Sequence, residues 1–129
     1  MIDAVANYAI HLIVAAALLG VFFFIYTKLT PFDELAMIRA RNAAASLSLG
    51  GALIGFSLTV ASSIVHNATI VQVGVWAILA MVVQVVVYLV MSRIFPAIRT
   101  ELESGNVAMG GFVGTVALVA GIVNAACLS

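Results

Sequence analysis

Residues 42–92, NAAASLSLGGALIGFSLTVASSIVHNATIVQVGVWAILAMVVQVVVYLVMS, run for 51 consecutive positions without an Asp, Glu, Lys or Arg. A bilayer core about 30 Å thick is crossed by roughly 20 apolar residues of helix, so this stretch is long enough for two spans. The turn His66-Asn67-Ala68-Thr69 inside it is short and polar, which makes those spans adjacent and antiparallel. Uncharged runs at 4–27 and 104–129 supply one further span each. The expected fold is an all-α integral membrane protein with four transmembrane helices, at about 8–26, 43–64, 70–91 and 107–128.

Composition leads to the same class, because 65% hydrophobic and 8% charged residues lie far from the roughly 45–50% and 25% of soluble domains. A chain of 129 residues then has room for one membrane domain, 1–129, and none for a separate soluble one. Net charge is zero and no basic cluster occurs, so the expected surroundings are the lipid bilayer, with no nucleic-acid partner. The N-terminus lacks the positive segment of a signal peptide, and Phe22, Phe23 and Phe24 stand where small residues would precede cleavage. The first span is therefore expected to be retained. Cys127, the one cysteine, excludes an internal disulfide and is expected to be a small buried residue.

Orientation follows from the cations. Lys28, Arg39 and Arg41 follow the first span, Arg93 and Arg99 follow the third, and the other ends carry no Lys or Arg. The positive-inside rule places both charged connections in the cytoplasm and both termini on the periplasmic side. Tyr8, Tyr26, Trp76 and Tyr88 fall near the span ends, as an aromatic belt requires. In the first connection Thr30-Pro31-Phe32-Asp33 offers a hydroxyl N-cap, a proline at the first helical position and an acid at the third. A short interfacial helix is expected there, with Leu35 and Ile38 on its apolar side and Asp33, Glu34, Arg39 and Arg41 on its wet side. The alternative is a solvated hairpin loop.

The halves of the chain echo one another. Asn42-Ala43-Ala44 with Gly50 matches Asn106-Val107-Ala108 with Gly114, and Lys28 to Pro31 matches Arg93 to Pro96, at an offset of 64 or 65 residues. Two tandem hairpins, 1–64 and 65–129, would enter the membrane in the same sense and be related by a pseudo-twofold axis along its normal. Small residues mark the faces that should meet, since helices in lipid associate through close backbone approach. They are Gly110, Gly114, Ala117, Gly121 and Ala125 in the fourth span, answered by Ser46, Gly50, Ser57 and Ala61 in the second. Gly51 and Gly55 form a second pair on another side of the second span, available to a neighbouring protomer of a homo-oligomer.

Several strings together resemble the YjfL-type small bacterial inner-membrane proteins, domain-of-unknown-function family 350. They are Lys28-Leu29-Thr30-Pro31-Phe32-Asp33-Glu34, Ile38-Arg39-Ala40-Arg41-Asn42-Ala43-Ala44, Gly50 to Phe56, Gln84, Gly105-Asn106-Val107-Ala108 and Gly121 to Cys127. Members often carry Gly before the first Asn, where this chain has Arg41, and often a Pro late in span two, where this chain has the Thr59 region. The resemblance implies a four-span tandem-repeat protein of the bacterial inner membrane without an assigned reaction. It also implies a setting near envelope-maintenance functions such as phage-shock-protein-A-like membrane remodelling.

Few residues invite a chemical role. Gln84 lies inside span three on the face of Trp76, Ala80 and Tyr88, and is expected either to bond another helix or to line a wet path. His11 near the outer end of span one is expected to reach water. Asn42 and Asn106 open spans two and four, as N-caps or, alternatively, as paired helix ends that receive an anionic group. Asn124 is expected to bond a neighbouring helix. No acid lies within a span, so coupled transport lacks its usual carboxylates. One Cys and two separated His make no metal site, and no nucleophile-base pair, phosphate loop or dinucleotide fingerprint occurs. The expectation is thus a non-enzymatic protein without cofactor or metal. It would act as an oligomeric scaffold whose connections, through Asp33, Glu34 and Arg39, dock peripheral cytoplasmic envelope-stress proteins. The alternative is a small oligomeric channel or uncoupled carrier lined by Gln84, Ser48, Thr59 and Ser62.

Overall fold

The computed structural model describes residues 1–30 and 33–128. Among them the chain forms helices α1 (Ile2–Leu29), α2 (Glu34–Arg39), α3 (Ala43–His66), α4 (Ile70–Ile94), α5 (Ile98–Glu103) and α6 (Val107–Cys127). Four of these, α1, α3, α4 and α6, are long and apolar enough to cross a membrane. They match the four expected spans, with α6 ending one residue early at Cys127, but α1 begins at Ile2 and α4 continues to Ile94. Charge explains both extensions: Asp3 sits in the first turn of α1, while Lys28 and Arg93 sit in the last turns of α1 and α4, where each complements the helix dipole. Beyond Ile94, Pro96 cannot continue the helix.

The two short helices end in the same way. At the end of α2, Arg41 N–H donates to the Ile38 carbonyl and Asn42 N–H to the Met37 carbonyl, both at 2.9 Å. At the end of α5, Gly105 N–H reaches Leu102 at 3.1 Å and Asn106 N–H reaches Glu101 at 2.9 Å. This is a Schellman closure, whose fifth residue must be left-handed. Arg41 has φ 66° and Gly105 has φ 82°. Each following asparagine then caps the next long helix, Asn42 Oδ1 accepting from Ala45 N–H and Asn106 Oδ1 from Met109 N–H, both at 3.1 Å. The recurring Asn string therefore encodes a helix-to-helix junction.

Helices α3 and α6 run parallel and touch through their backbones. A Cβ built on Gly110 would strike the Ala44 carbonyl, one on Gly114 the Leu47 carbonyl, one on Gly51 the Gly114 backbone, and one on Gly121 the Gly55 backbone. The α6 face is the expected one, but the α3 face is not. Gly51 and Gly55 make the seam, whereas a Cβ on Gly50 meets nothing within 4 Å and Ser46 is exposed. The repeat offset selected the wrong side of α3 because successive contacts along the seam are shifted by 62 to 67 residues (Gly55 to Ala117, Leu47 to Gly114) rather than held at 64.

Three side chains donate to carbonyls one turn apart along α6. Gln84 Nε2 reaches Ala117 at 3.1 Å, Thr59 Oγ1 reaches Gly121 at 3.1 Å and Ser62 Oγ reaches Ala125 at 2.7 Å. Each such bond contributes about 0.6 kcal/mol in a membrane. Among the described residues Asn124 makes no bond to another helix; Ser62 ties α3 to α6 at that level instead.

Helix α1 is attached differently. Its buried residues are Phe22 and Tyr26. Phe22 stacks on Phe56 of α3 with ring centroids 4.3 Å apart, and Tyr26 meets Tyr88 of α4 edge-on at 6.0 Å. Tyr26 and Tyr88 thus serve as an internal clamp and do not join the interfacial belt, while Tyr8 and Trp76 are exposed as a belt requires. Cys127 is exposed at the end of α6, contrary to its expected burial, because it lies two residues beyond Ala125, whose carbonyl meets Ser62, and so falls on the opposite side of the helix.

Candidate functional site

Apart from Asp3, the charged residues gather where α2 and α5 meet the ends of the long helices. Asn42 joins the two connections: its Nδ2 donates to the Leu102 carbonyl at 2.7 Å, while Ile98 and Leu102 bury the inner side of α5. Asn106 Nδ2 donates to Glu101 Oε2 at 2.5 Å. Both amides are committed to capping and bracing, and an acid stands at the start of α6. Both side chains thus take the capping role, the first of the two expectations for them.

The N-cap of α2 is Asp33, whose Oδ1 accepts from Ala36 N–H at 3.1 Å. Thr30, expected in that role, instead donates its hydroxyl to Glu34 Oε1 at 2.5 Å. The expected position of Pro31 at the start of the helix lies outside the described residues. Because the helix starts later, its inner side is Glu34, Met37 and Ile38 at spacings of three and four, while Leu35 faces out. Glu34 is 1% exposed, the reverse of the wet position expected for it, and Leu35 is 42% exposed. Asp33, Arg39 and Arg41 are exposed as expected.

Glu34 has an unusual environment for an acid. Its Oε2 is buried and has no hydrogen-bond partner. Burial pushes its carboxyl up to about 7, an effect that the Thr30 hydrogen bond lessens and the neighbouring Asp33 charge reinforces. A cleft of about 750 Å³ adjoins it, walled by Phe23, Phe24, Leu35 and Met37 on the apolar side and by Lys28, Asp33, Arg99 and Glu103 on the polar side. Arg99 Nε bonds Glu103 Oε1 at 2.8 Å, and Lys28 Nζ lies 5.5 Å from the centre of the Phe24 ring.

The remaining sequence candidates lie elsewhere. Gln84 is 3% exposed and sealed between Gly55 of α3 and Ala117 of α6; its Oε1 has no partner. Thr59 and Ser62, also candidates for a path, bond α6 carbonyls across the seam. His11 bonds the Asn7 carbonyl at 2.8 Å near the far end of α1. Gly114 packs in the seam and Gly50 does not. Sequence reading passed over Thr30 and Arg99 as neighbours of Glu34. The signal available for Thr30 was its four-residue spacing to Glu34, whereas nothing local placed Arg99 there.

The family model described as Domain of Unknown Function (DUF350) matches residues 1–128. The chain is 33% identical over 129 residues to the UPF0719 inner membrane protein YjfL of Escherichia coli K12, covering all of this chain and 98% of that one. The same identity and coverage hold for the protein of that name in Escherichia coli O157:H7. No solved structure matches.

Proposed function

The chain belongs to the DUF350 family of multi-pass inner-membrane proteins, and we propose that it is a non-enzymatic oligomeric scaffold whose charged end docks peripheral envelope proteins. The observation that carries this reading is the Asn42 Nδ2 bond to the Leu102 carbonyl, which ties the junction between α2 and α3 to α5 and groups exposed Asp33, Arg39, Arg41, Arg99 and Glu103 on one platform. The positive-inside rule puts that platform in the cytoplasm and both termini in the periplasm. A rigid platform lowers the ordering cost of binding. The repeated order of long, short and long helices, with matching junctions at Arg41-Asn42 and Gly105-Asn106, supports an origin by duplication of a hairpin.

The channel reading is weaker because Gln84, Thr59 and Ser62 spend their donors on α6 carbonyls. Two measurements test the proposal. Single cysteines at Asn67 and Thr100, in a Cys127→Ser background, should react differently with an impermeant maleimide on spheroplasts, only the first being labelled. Combined Arg39→Ala, Arg41→Ala and Glu103→Ala should remove cross-linked cytoplasmic partners while Gln84→Leu retains them. A liposome ion flux abolished by Gln84→Leu, with cross-linking indifferent to the triple change, would replace the scaffold with the channel.

A further inference from the structure

We propose that the cleft beside Glu34 binds a primary ammonium group, supplied by an aminophospholipid headgroup of the adjoining leaflet or by a free amine. The inference does not depend on the scaffold reading or on which leaflet the charged end faces. Its starting point is Oε2 of Glu34, a buried acceptor without a donor. Buried polar atoms almost always have partners, and Thr30 satisfies only Oε1.

The other charges in the cleft are already committed. Arg99 bonds Glu103, and Lys28 sits over the Phe24 ring. What remains is the pair Asp33 and Glu34, and neither has an ion-pair partner among the described residues. Three acids against two bases line the cleft, so it favours a cation once Glu34 is deprotonated. Among the described residues no group of three His, Cys, Asp or Glu side chains is arranged for a metal ion. An ammonium needs less: it carries three donors on one compact charge, so one carboxylate oxygen and neighbouring acceptors suffice.

Shape adds the second half of the ligand. A volume of about 750 Å³ exceeds what an ammonium alone requires and falls in the range of small-molecule sites. The surplus is bounded by Phe23, Phe24, Leu35 and Met37, and Phe24 and Leu35 are exposed toward the surroundings of the bundle. An amine attached to an apolar or glycerophospholipid body at headgroup depth satisfies both walls.

The proton is the competing occupant of Oε2. The titratable groups about Glu34 are Tyr26 and Lys28 of α1, Asp33 beside it, Tyr88 of α4, and Arg99 and Glu103 of α5. Neither α3 nor α6 contributes one at this end. With the carboxyl titrating at about 7, ammonium binding should strengthen about tenfold between pH 6 and pH 8, as the deprotonated fraction rises.

The test uses the full-length protein, delipidated in detergent and offered phosphatidylethanolamine, phosphatidylcholine, phosphatidylglycerol or propylamine, with binding read by native mass spectrometry and thermal shift. The expected result is retention of phosphatidylethanolamine about tenfold above the other two lipids, rising with pH and lost in Glu34→Gln. Propylamine binding with the same pH profile but no lipid preference assigns the ammonium to a free amine. Should Glu34→Gln fail to fold, the wild-type pH profile still decides. Equal retention of all three lipids without propylamine binding, or phosphatidylethanolamine binding that is flat in pH, overturns the proposal.

Discussion

Helices α3 and α6 meet through glycines and carbonyls, whereas α1 buries only two aromatic rings in the same bundle, both near one end. The seam brings Gly51, Gly55, Gly110, Gly114 and Gly121 against opposing backbone. The buried residues of α1 are Phe22 and Tyr26, with Ala15, Leu18, Leu19 and Phe23 half-buried against the core, and the first half of that helix has no buried residue. In lipid, apolar surface gains nothing by leaving its surroundings, so helices bind where backbones approach or shapes interlock. The difference shows how unequal the four spans are in energy although all are comparably apolar. It also separates a core unit, α3, α4 and α6, from a peripheral helix.

The largest effect should come from filling the seam. Gly114→Leu places a side chain where the Leu47 carbonyl already lies, and Gly51→Leu does so against Gly114. Neither backbone can retreat without separating the helices, so each should cost ~3 kcal/mol or more and abolish accumulation in the membrane. Gly50→Leu, which enters open space, should leave thermal unfolding in detergent within about 0.5 kcal/mol of wild type. Equal sensitivity at Gly50 and Gly51 would refute the assigned seam.

Next comes the clamp on α1. Phe22→Ala removes a fully buried ring stacked on Phe56 and should cost about 3 kcal/mol. Its signature should be selective: faster proteolysis or hydrogen exchange in α1, with α3 and α6 still protected. Uniform loss of protection would show that α1 and the seam unfold as one unit.

Glu34 links that clamp to pH. Its carboxyl is raised from 4.5 to about 7 in the folded state, so between those values the folded chain holds more protons than the unfolded one. Stability is then highest below about 4.5, falls as pH rises toward 7, and is level above that. The total change is about 3 kcal/mol, and Glu34→Gln should remove this slope. A pH-independent unfolding midpoint from pH 4.5 to 7.5 in the wild type would contradict the burial of the acid.

Much of this architecture was readable because membrane insertion imposes a coarse rule on composition. The uncharged run from Asn42 to Ser92 encodes two spans at any level of detail. The small residues of α6 also identified their own face. What could not be read was which side of α3 answers it, since Gly50 and Gly51 differ by one position and only the crossing of the two helices distinguishes them. The same holds for α2, where six residues give too little periodicity to tell Glu34 from Leu35 as the inner residue. Arg99 and Leu102 come close to residues some 60 positions earlier, a proximity that no local pattern announces.

The smallest effect distinguishes the two otherwise matching junctions. Arg41 and Gly105 occupy the same left-handed place in their Schellman closures, but only glycine takes that conformation without steric cost. A side chain there costs about 1–2 kcal/mol, partly offset because glycine has more freedom to lose on folding. Arg41→Gly should therefore stabilise the protein by about 0.5–1 kcal/mol, read as a higher unfolding midpoint in detergent. Arg41→Ala should give no gain, since it removes the charge and keeps the Cβ, and this separates backbone strain from charge. Gly105→Ala supplies the mirror test: a Cβ at that position meets nothing within 4 Å, so any loss comes from φ alone and should match the Arg41→Gly gain in size. If Arg41→Ala stabilises as much as Arg41→Gly, the strain lies in the clustering of Arg39 and Arg41, and the two junctions differ in electrostatics and not in backbone geometry.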